Sequence, residues 1–348
     1  MPGGVRACGA GRRDGAGVSE LRRDPLSGAW ITIAGRRLGR PVTTSAAGCP
    51  FCPVPPGASV EVCADAEAPR ADYGVAVFEN RWPSLGGPAA ERPTPGPFAP
   101  GYRLAPARGH AEVVLYAPRH DVHLASLPPA QVRLLVEVWR ERTEALYADP
   151  AVAYVFPFEN RGAEIGATID HPHGQIYAYP FLPPRIAAEL AILARHRRDE
   201  GECLQCEVLR RERAEARRLV DAEGGWTAFV PFAPRFPSEV HLVPARHRGS
   251  LADLDSPGRA DLAALLQRSV RRYDGLYGAP MPYMMAIYQA PRRHGPPGLW
   301  HLRLAFYPLL RAPGRLKYLA GSESAAGAFL QDATPEDMAA ALRGVPLP

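Results

Sequence analysis

The sequence predicts an α+β fold: two halves related by internal duplication, each built on mainly antiparallel sheet with flanking helices. Three observations lead there. First, "EVVLYAPRHDVHLASL" (Glu112 to Leu127) and "EVHLVPARHRGSLADL" (Glu239 to Leu254) share 8 of 16 positions at a constant offset of 127, and chance seldom does this over such a window. Second, the same order of elements follows each copy. Third, each copy is preceded by its own C-x-x-C, "CPFC" and "CLQC".

The elements run as follows. A Pro-containing turn opens an amphipathic helix in each copy, "PPAQVRLLVEVWRERTEALY" and "SPGRADLAALLQRSVRRYDGLY", with apolar residues at the three- and four-residue spacing of one buried stripe. A strand-like stretch follows, "VAYVFPFEN" or "PYMMAIYQA", then a Gly-containing loop. A last strand, "HGQIYAYP" or "HLRLAFYP", closes each copy on Tyr-Pro. Strands separated by one long helix or by hairpin loops favour antiparallel pairing over a parallel βαβ sheet.

Length and composition set the outer bounds. A chain of 348 residues with 46% hydrophobic and 22% charged residues is of ordinary globular composition. Its 39 prolines and 33 glycines predict many turns. No apolar run approaches the roughly 18 residues that suggest a membrane span. Residues 1–18 are Gly/Arg/Ala-rich without an apolar core and read as a disordered lead, not a signal peptide. The expected organisation is therefore a lead (1–18), an N-terminal half (19–183) and a C-terminal half (184–348), with a cytoplasmic address. The net charge of +5 suits an anionic small molecule. The basic residues are interleaved with acids, as in "RRERAEARR", which reads as a solvated helix face with i,i+4 pairs.

Of six cysteines, Cys8, Cys49, Cys52, Cys63, Cys203 and Cys206, four fall in the two C-x-x-C pairs. Without a secretory signal, metal ligation or redox chemistry is favoured over structural disulfides. The first pair stands in a Pro-rich loop, which favours metal. In the first copy the donor set is Cys49, Cys52, His120 and His171, two thiolates and two imidazoles suited to tetrahedral Zn2+. The second copy offers Cys203, Cys206, His247 and His301 for a possible second zinc. His301 stands seven residues before Pro308, as His173 stands seven before Pro180. Its register therefore differs from that of His171, and His294 competes as fourth ligand.

Two histidines bracket a proline in "DHPHGQIYAYP". With His171 given to the metal, His173 is left for other work, because residues two apart around a proline need not share a task. A rigidly held ligand next door would fix the imidazole of His173, which then reads as a nucleophile.

With its upstream "FENRGAEIGATID", the "HPHGQ" segment resembles the active-site segment of the galactose-1-phosphate uridylyltransferase family, a branch of the histidine-triad superfamily. The likeness extends from "DPLSGAWITIAGRRLGRP" through "CPFC", "FENRWPSL" and "APRH" to "GRLKYLAGSE" and "TPEDMAAALR". It implies a ping-pong exchange in which His173 attacks the α-phosphorus of UDP-glucose and releases glucose 1-phosphate. Galactose 1-phosphate then takes up the uridylyl group. Gln175 stands where related hydrolases carry a third histidine; an amide can donate to phosphoryl oxygens but cannot take a proton from water, so it favours transfer over hydrolysis.

The resemblance also implies substrate contacts for Arg37, Arg40, Asn80, Asn160, Gly166, Ala167, Thr168, Lys317, Ser322, Glu323 and Gln331. Read alone, the two arginines fit an ordinary surface and the two asparagines ordinary turns. A homodimer is implied as well, because the family's C-terminal segment reaches the neighbouring subunit. Departures from the family pattern are specific. Glu189 matches a glutamate that, with three histidines, holds a second metal in some members; Tyr288, Arg303 and Ala305 stand in place of the histidines, so that site is expected to be lost. Ser322 replaces a tyrosine, which leaves the sugar open. Two other readings remain: a sister ADP-glucose phosphorylase with the same nucleophile, and a zinc-containing nucleic-acid-binding module.

Overall fold

The computed structural model of the chain describes residues 19–34, 46, 49–53, 73–86 and 101–347. The 1–18 segment and Cys8, Arg37, Arg40 and Cys63 lie outside the described residues.

Strands β1 (Glu20–Arg23) and β2 (Trp30–Ile33) pair with β4 (Arg103–Pro106) in a small antiparallel sheet, order β2-β1-β4. The first half also supplies β3 (Ala76–Glu79), β5 (His110–Leu115), β6 (Tyr154–Arg161) and β7 (His173–Tyr179). The second supplies β8 (Leu219–Glu223), β9 (Trp226–Phe229), β10 (Val240–Pro244), β11 (Tyr283–Tyr288) and β12 (Arg303–Pro308). These nine form one sheet in the order β3-β5-β7-β6-β11-β12-β10-β9-β8, with every pair antiparallel.

That order carries the duplication into space. By the offset of 127, β5 corresponds to β10; likewise β6 corresponds to β11 and β7 to β12. The sequence β5-β7-β6 is mirrored by β11-β12-β10, so the pseudo-two-fold passes between β6 and β11, paired from Arg161↔Tyr283 to Phe158↔Ala286. The halves share a sheet and a core.

One face of the sheet is covered by the two predicted amphipathic helices, α1 (Pro129–Ala148) and α4 (Ser256–Leu276). Val132, Leu135, Val136 and Trp139 of α1 bury the expected stripe, as do Leu262, Leu265, Leu266 and Val270 of α4. These meet Val114, Ile176, Met285, Leu304 and Phe306 from the sheet in a single core that spans both halves. At the start of α4, Asp255 accepts from Gly258 N–H at 2.8 Å, an N-cap that satisfies a donor otherwise left open. The other face carries Tyr154, Tyr288, Trp300 and Tyr307 under Ile186 of α2 (Pro184–Glu200).

The "RRERAEARR" stretch is exposed at seven of its nine residues, as expected of a solvated face, and Arg211 pairs with Glu207 one turn back; Glu212 and Arg218 are the two exceptions. The stretch ends α3 (Leu204–Glu215), where Arg218 and Glu212 form a buried ion pair at 3.0 Å that also engages Glu336 of α6 (Pro335–Gly344), with α5 (Gly321–Ser324) preceding it. Arg218 must turn inward because Glu212 lies on the apolar side of α3.

Glu189, on α2, is held by cations. Arg303 Nη2 reaches its Oε2 at 2.6 Å and Arg185 Nε its Oε1 at 2.9 Å. The Arg303 guanidinium lies 4.2 Å from the centroid of the Tyr288 ring. Two guanidiniums thus neutralise this carboxylate. Removing the carboxylate by Glu189→Ala leaves two guanidiniums facing each other in a largely buried setting. The variant is expected to lose about 3 kcal/mol in urea unfolding; an unchanged midpoint would show that solvent, not Glu189, balances Arg303.

Candidate active site and metal groups

The loop "CPFCP" (49–53) brings Cys49 and Cys52 against the turn after β5 and the residues just before β7. Cys52 Sγ lies 3.6 Å from Nδ1 of both His120 and His171, and Cys49 Sγ lies 3.9 Å from His171 Nδ1. All four donor atoms fall within 4.8 Å of one another. A tetrahedron with metal–sulfur bonds near 2.3 Å and metal–nitrogen bonds near 2.0 Å has edges of about 3.6 Å, so these separations suit a shared ion. His171 is aimed by its other nitrogen, since Nε2–H donates to the Ala117 carbonyl at 2.8 Å. Burial pushes the His171 imidazole down to about 4, which keeps Nδ1 unprotonated and available. Desolvation beside Cys49 pushes the Cys52 thiol up to about 11 when no ion compensates, so metal binding here releases protons.

The second group repeats the first. Cys206 Sγ stands 3.4 Å from His247 Nδ1 and 3.3 Å from His301 Nδ1, with Cys203 Sγ 4.0 Å from His301 Nδ1. His301 Nε2–H donates to the Pro244 carbonyl at 2.9 Å. Pro244 and Ala117 are 127 residues apart, which makes His301 the counterpart of His171. The register read from the distance to Tyr-Pro is therefore corrected. The stretch from the histidine to the Tyr-Pro is two residues shorter in the second half (301–308 against 171–180), and counting back from Pro308 lands on the wrong partner. His294 is exposed on a loop and outside the group. The residue two beyond His301 is Arg303, so the second half keeps the metal group and has no nucleophile in the place of His173.

His173 opens β7. Its Nδ1 lies 2.7 Å from the carbonyl oxygen of His171. An oxygen can only accept, so Nδ1 carries the proton and the lone pair of the neutral ring is on Nε2. Burial lowers the pKa of His173 against the opposing pull of the His171 carbonyl and Asp170, so the ring is neutral near pH 7. Phe51, between the two cysteines, packs edge-on at 5.2 Å from the His173 ring and 6.1 Å from that of His171. Nothing in the sequence reading singled out Phe51.

Gln175 lies two residues along the strand and on the same face as His173. It pairs with Phe158 of β6, and continuing that register sets Asn160 beside His173. A cleft of about 380 Å3 opens at this end of the sheet, lined by Asn160, Arg161, Gly162, Ala167, His171 and His173 among others. Its loop turns at Gly166, whose φ of 75° is in the left-handed region that favours glycine, and Thr168 follows Ala167 in the same loop.

The other candidates stand elsewhere. Asn80 Oδ1 accepts from Trp82 N–H at 2.9 Å, closing a tight turn beside β3. Lys317 Nζ is paired with Glu323 Oε1 at 2.7 Å, and Gln331 Nε2 donates to the Pro234 carbonyl at 3.2 Å. These three and the exposed Ser322 follow the β13–β14 hairpin (Leu310–Ala312, Arg315–Leu316) or flank it, and none lines the cleft.

With this geometry fixed, comparison with known proteins is decisive. The galactose-1-phosphate uridyl transferase N-terminal domain profile matches residues 13–183, and its C-terminal domain profile matches 189–348. The chain belongs to this family. The galactose-1-phosphate uridylyltransferase of Thermotoga maritima is 37% identical over 329 residues, covering 94% of this chain and 98% of that protein. A solved uridylyltransferase structure superposes with a TM-score of 0.80 at 35% identity, over 94% of this chain and 98% of that one. The ADP-glucose phosphorylase of Arabidopsis thaliana is 26% identical over 341 residues, covering 94% and 93%.

Two predictions follow from the site. The two donor groups are separate, so His120→Ala is expected to lower bound metal by one equivalent per chain and to lower the melting temperature. Metal content equal to that of the parent chain would show that His120 is no ligand. The second concerns Glu159, on β6 and buried, whose carboxyl burial pushes up to about 7 despite Arg161 and the hydroxyls of Tyr283 and Tyr116. The folded carboxyl holds its proton to higher pH than the unfolded one, at about 4.3. Between about pH 4.5 and 7 the folded state binds more protons, so this group withdraws stability as pH rises. Glu159→Gln cannot ionise. Its stability relative to the parent chain should improve across that window and level off above it; a pH-independent difference in urea unfolding would contradict the shift.

Proposed function

We propose that the chain is a UDP-glucose–hexose-1-phosphate uridylyltransferase that works by ping-pong exchange through His173. The observation that carries this reading is the Nδ1–H to His171 carbonyl bond, which presents Nε2 of a neutral imidazole as a nucleophile. In the first step the Nε2–P bond forms at the α-phosphorus of UDP-glucose. The bond to the bridging oxygen breaks, and glucose 1-phosphate leaves with that oxygen and its electron pair. In the second step an oxygen of galactose 1-phosphate attacks, the N–P bond breaks, and UDP-galactose leaves.

The leaving group is already a stable anion, so the work of the site is placement and charge stabilisation and not proton transfer. Gln175, on the same face, donates its amide N–H to a phosphoryl oxygen. Asn160 and Ala167 line the cleft, and with Gly166 and Thr168 of the same loop they bind the phosphates. Asn80, Arg37 and Arg40 serve the nucleotide, and Lys317, Ser322, Glu323 and Gln331 serve the hexose phosphate of a neighbouring subunit in a homodimer. The domain organisation follows as a 19–183 half that carries the chemistry and a 184–348 half that supports it.

Both donor groups fit Zn2+, with two thiolates and two imidazoles each. Bound there, Zn2+ would act as a structural clamp. Cys49, Cys52, His120 and His171 would hold one ion beside the nucleophile, and Cys203, Cys206, His247 and His301 would hold its counterpart. Among the described residues no helix is long and apolar enough to cross a membrane; the cytoplasmic location is proposed from the sugar-nucleotide substrates.

An adenylyl donor is the second reading, favoured only by the shared histidine and the paired metal groups; the greater identity to uridylyltransferases argues against it. Intact-protein mass after brief incubation with UDP-glucose tests both. The expected result is a uridylyl adduct, lost on adding galactose 1-phosphate and absent from His173→Asn. An adduct from ADP-glucose alone would move the chain to the phosphorylase reading, and an adduct on His173→Asn would remove the nucleophile.

A further inference from the structure

The nucleophile segment rests on a buried side chain that the reaction does not use. Tyr116, the residue after β5, is 1% exposed. Its N–H donates to the Pro172 carbonyl at 3.0 Å, between the two histidines. Its hydroxyl lies directly beneath Gly174, where a Cβ would come within 2.3 Å of it and 3.0 Å of the Phe158 carbonyl. Gly174 has no positive φ, so glycine is required there for space. Tyr116 thus touches the strand on both sides of His173, at Pro172 and at Gly174.

The Tyr116 hydroxyl is itself held. It donates to Glu159 Oε2 at 3.3 Å, and Tyr283 donates to Oε1 of the same carboxyl at 3.1 Å. Tyr283 belongs to β11, in the second half. The neighbouring residue pair is anchored in the same way, since Arg161 is bound by both oxygens of Asp274 on α4 at 2.7 and 3.1 Å. Two hydroxyls and a carboxyl at these buried positions cost desolvation that an apolar trio would avoid, and the compensation is a fixed geometry. Edge-on packing at 6.1 Å against Trp139 leaves the Tyr116 ring little room to tilt.

We propose that Tyr116, fixed through Glu159 by Tyr283 of the second half, is a positioning residue that sets the height of His173 and Gln175 above the sheet. The half without a nucleophile then acts on the reaction through one hydroxyl. The inference rests on His173 being the nucleophile. In-line attack needs Nε2 at about 3 to 3.5 Å from phosphorus, and a displacement of about 1 Å costs on the order of 100-fold in rate.

The test compares Tyr116→Phe and Tyr283→Phe with the parent chain in single-turnover formation of the UDP-glucose adduct. Tyr116→Phe keeps the ring and its packing. It is expected to slow adduct formation 10- to 100-fold, with half-saturating UDP-glucose and metal content within 2-fold of the parent. Tyr283→Phe, which removes one of two anchors, should slow it several-fold. A purely structural role would lower the amount of active protein and leave the rate constant of the remainder unchanged; that result, or a Tyr116→Phe rate within 2-fold of the parent, would overturn the proposal. The rate of His173 carbethoxylation by diethyl pyrocarbonate, read by peptide mapping, needs no nucleotide. If the parent chain forms no adduct, the transferase reading fails, and a carbethoxylation rate altered in Tyr116→Phe still supports the positioning role while an unaltered one ends it.

Discussion

The geometry of the candidate site depends on the complete engagement of His171. One ring nitrogen faces the thiols of Cys49 and Cys52, and the other donates to the Ala117 carbonyl. Its own carbonyl accepts from Nδ1 of His173. A side chain bound at both ends cannot rotate, and a backbone carbonyl next to it cannot drift. The proline between the histidines removes a further torsion. The His173 ring lines the cleft with the lone pair of its Nε2 directed by these bonds. Pre-set direction is the main contribution a protein can make to phosphoryl transfer, where little covalent work remains for side chains.

The second half explains itself by contrast. It repeats the thiol–imidazole group down to the histidine bond to a carbonyl 127 residues on, yet it places Arg303 where the first half has His173. Arg303 is paired with Glu189 and lies over an aromatic ring, both features of a buried cation that is permanently charged. A guanidinium cannot act as a nucleophile. The thiol–imidazole group is thus present in both halves and the second histidine in one, with the continuous β6–β11 ladder joining the two.

Much of this could be read in the sequence, for physical reasons. The helices α1 and α4 were legible because their apolar stripes repeat at helical spacing, and the strands because the copies restate each other. The first metal group was legible because cysteine and histidine outside a disulfide context have few uses. The register at His301 was not, because Tyr-Pro marks the end of a strand and says nothing about the length of the stretch before it; only the Pro244 carbonyl fixes the match. Glu159, Tyr116 and Tyr283 were also missed. Each looks like an ordinary strand residue in sequence, and their bonds join positions 43 and 124 residues apart. The inward turn of Arg218 is of the same kind.

The central claim is that Nε2 of His173, and no other atom, receives the nucleotidyl group. The most direct measurement is phosphorus–nitrogen correlation NMR on protein carrying 15N-histidine, made on the adduct trapped from UDP-glucose. The structure predicts one phosphoramidate signal, coupled to Nε2 of His173, with Nδ1 still protonated against the His171 carbonyl. Coupling to Nδ1, or to a histidine other than His173, would contradict it.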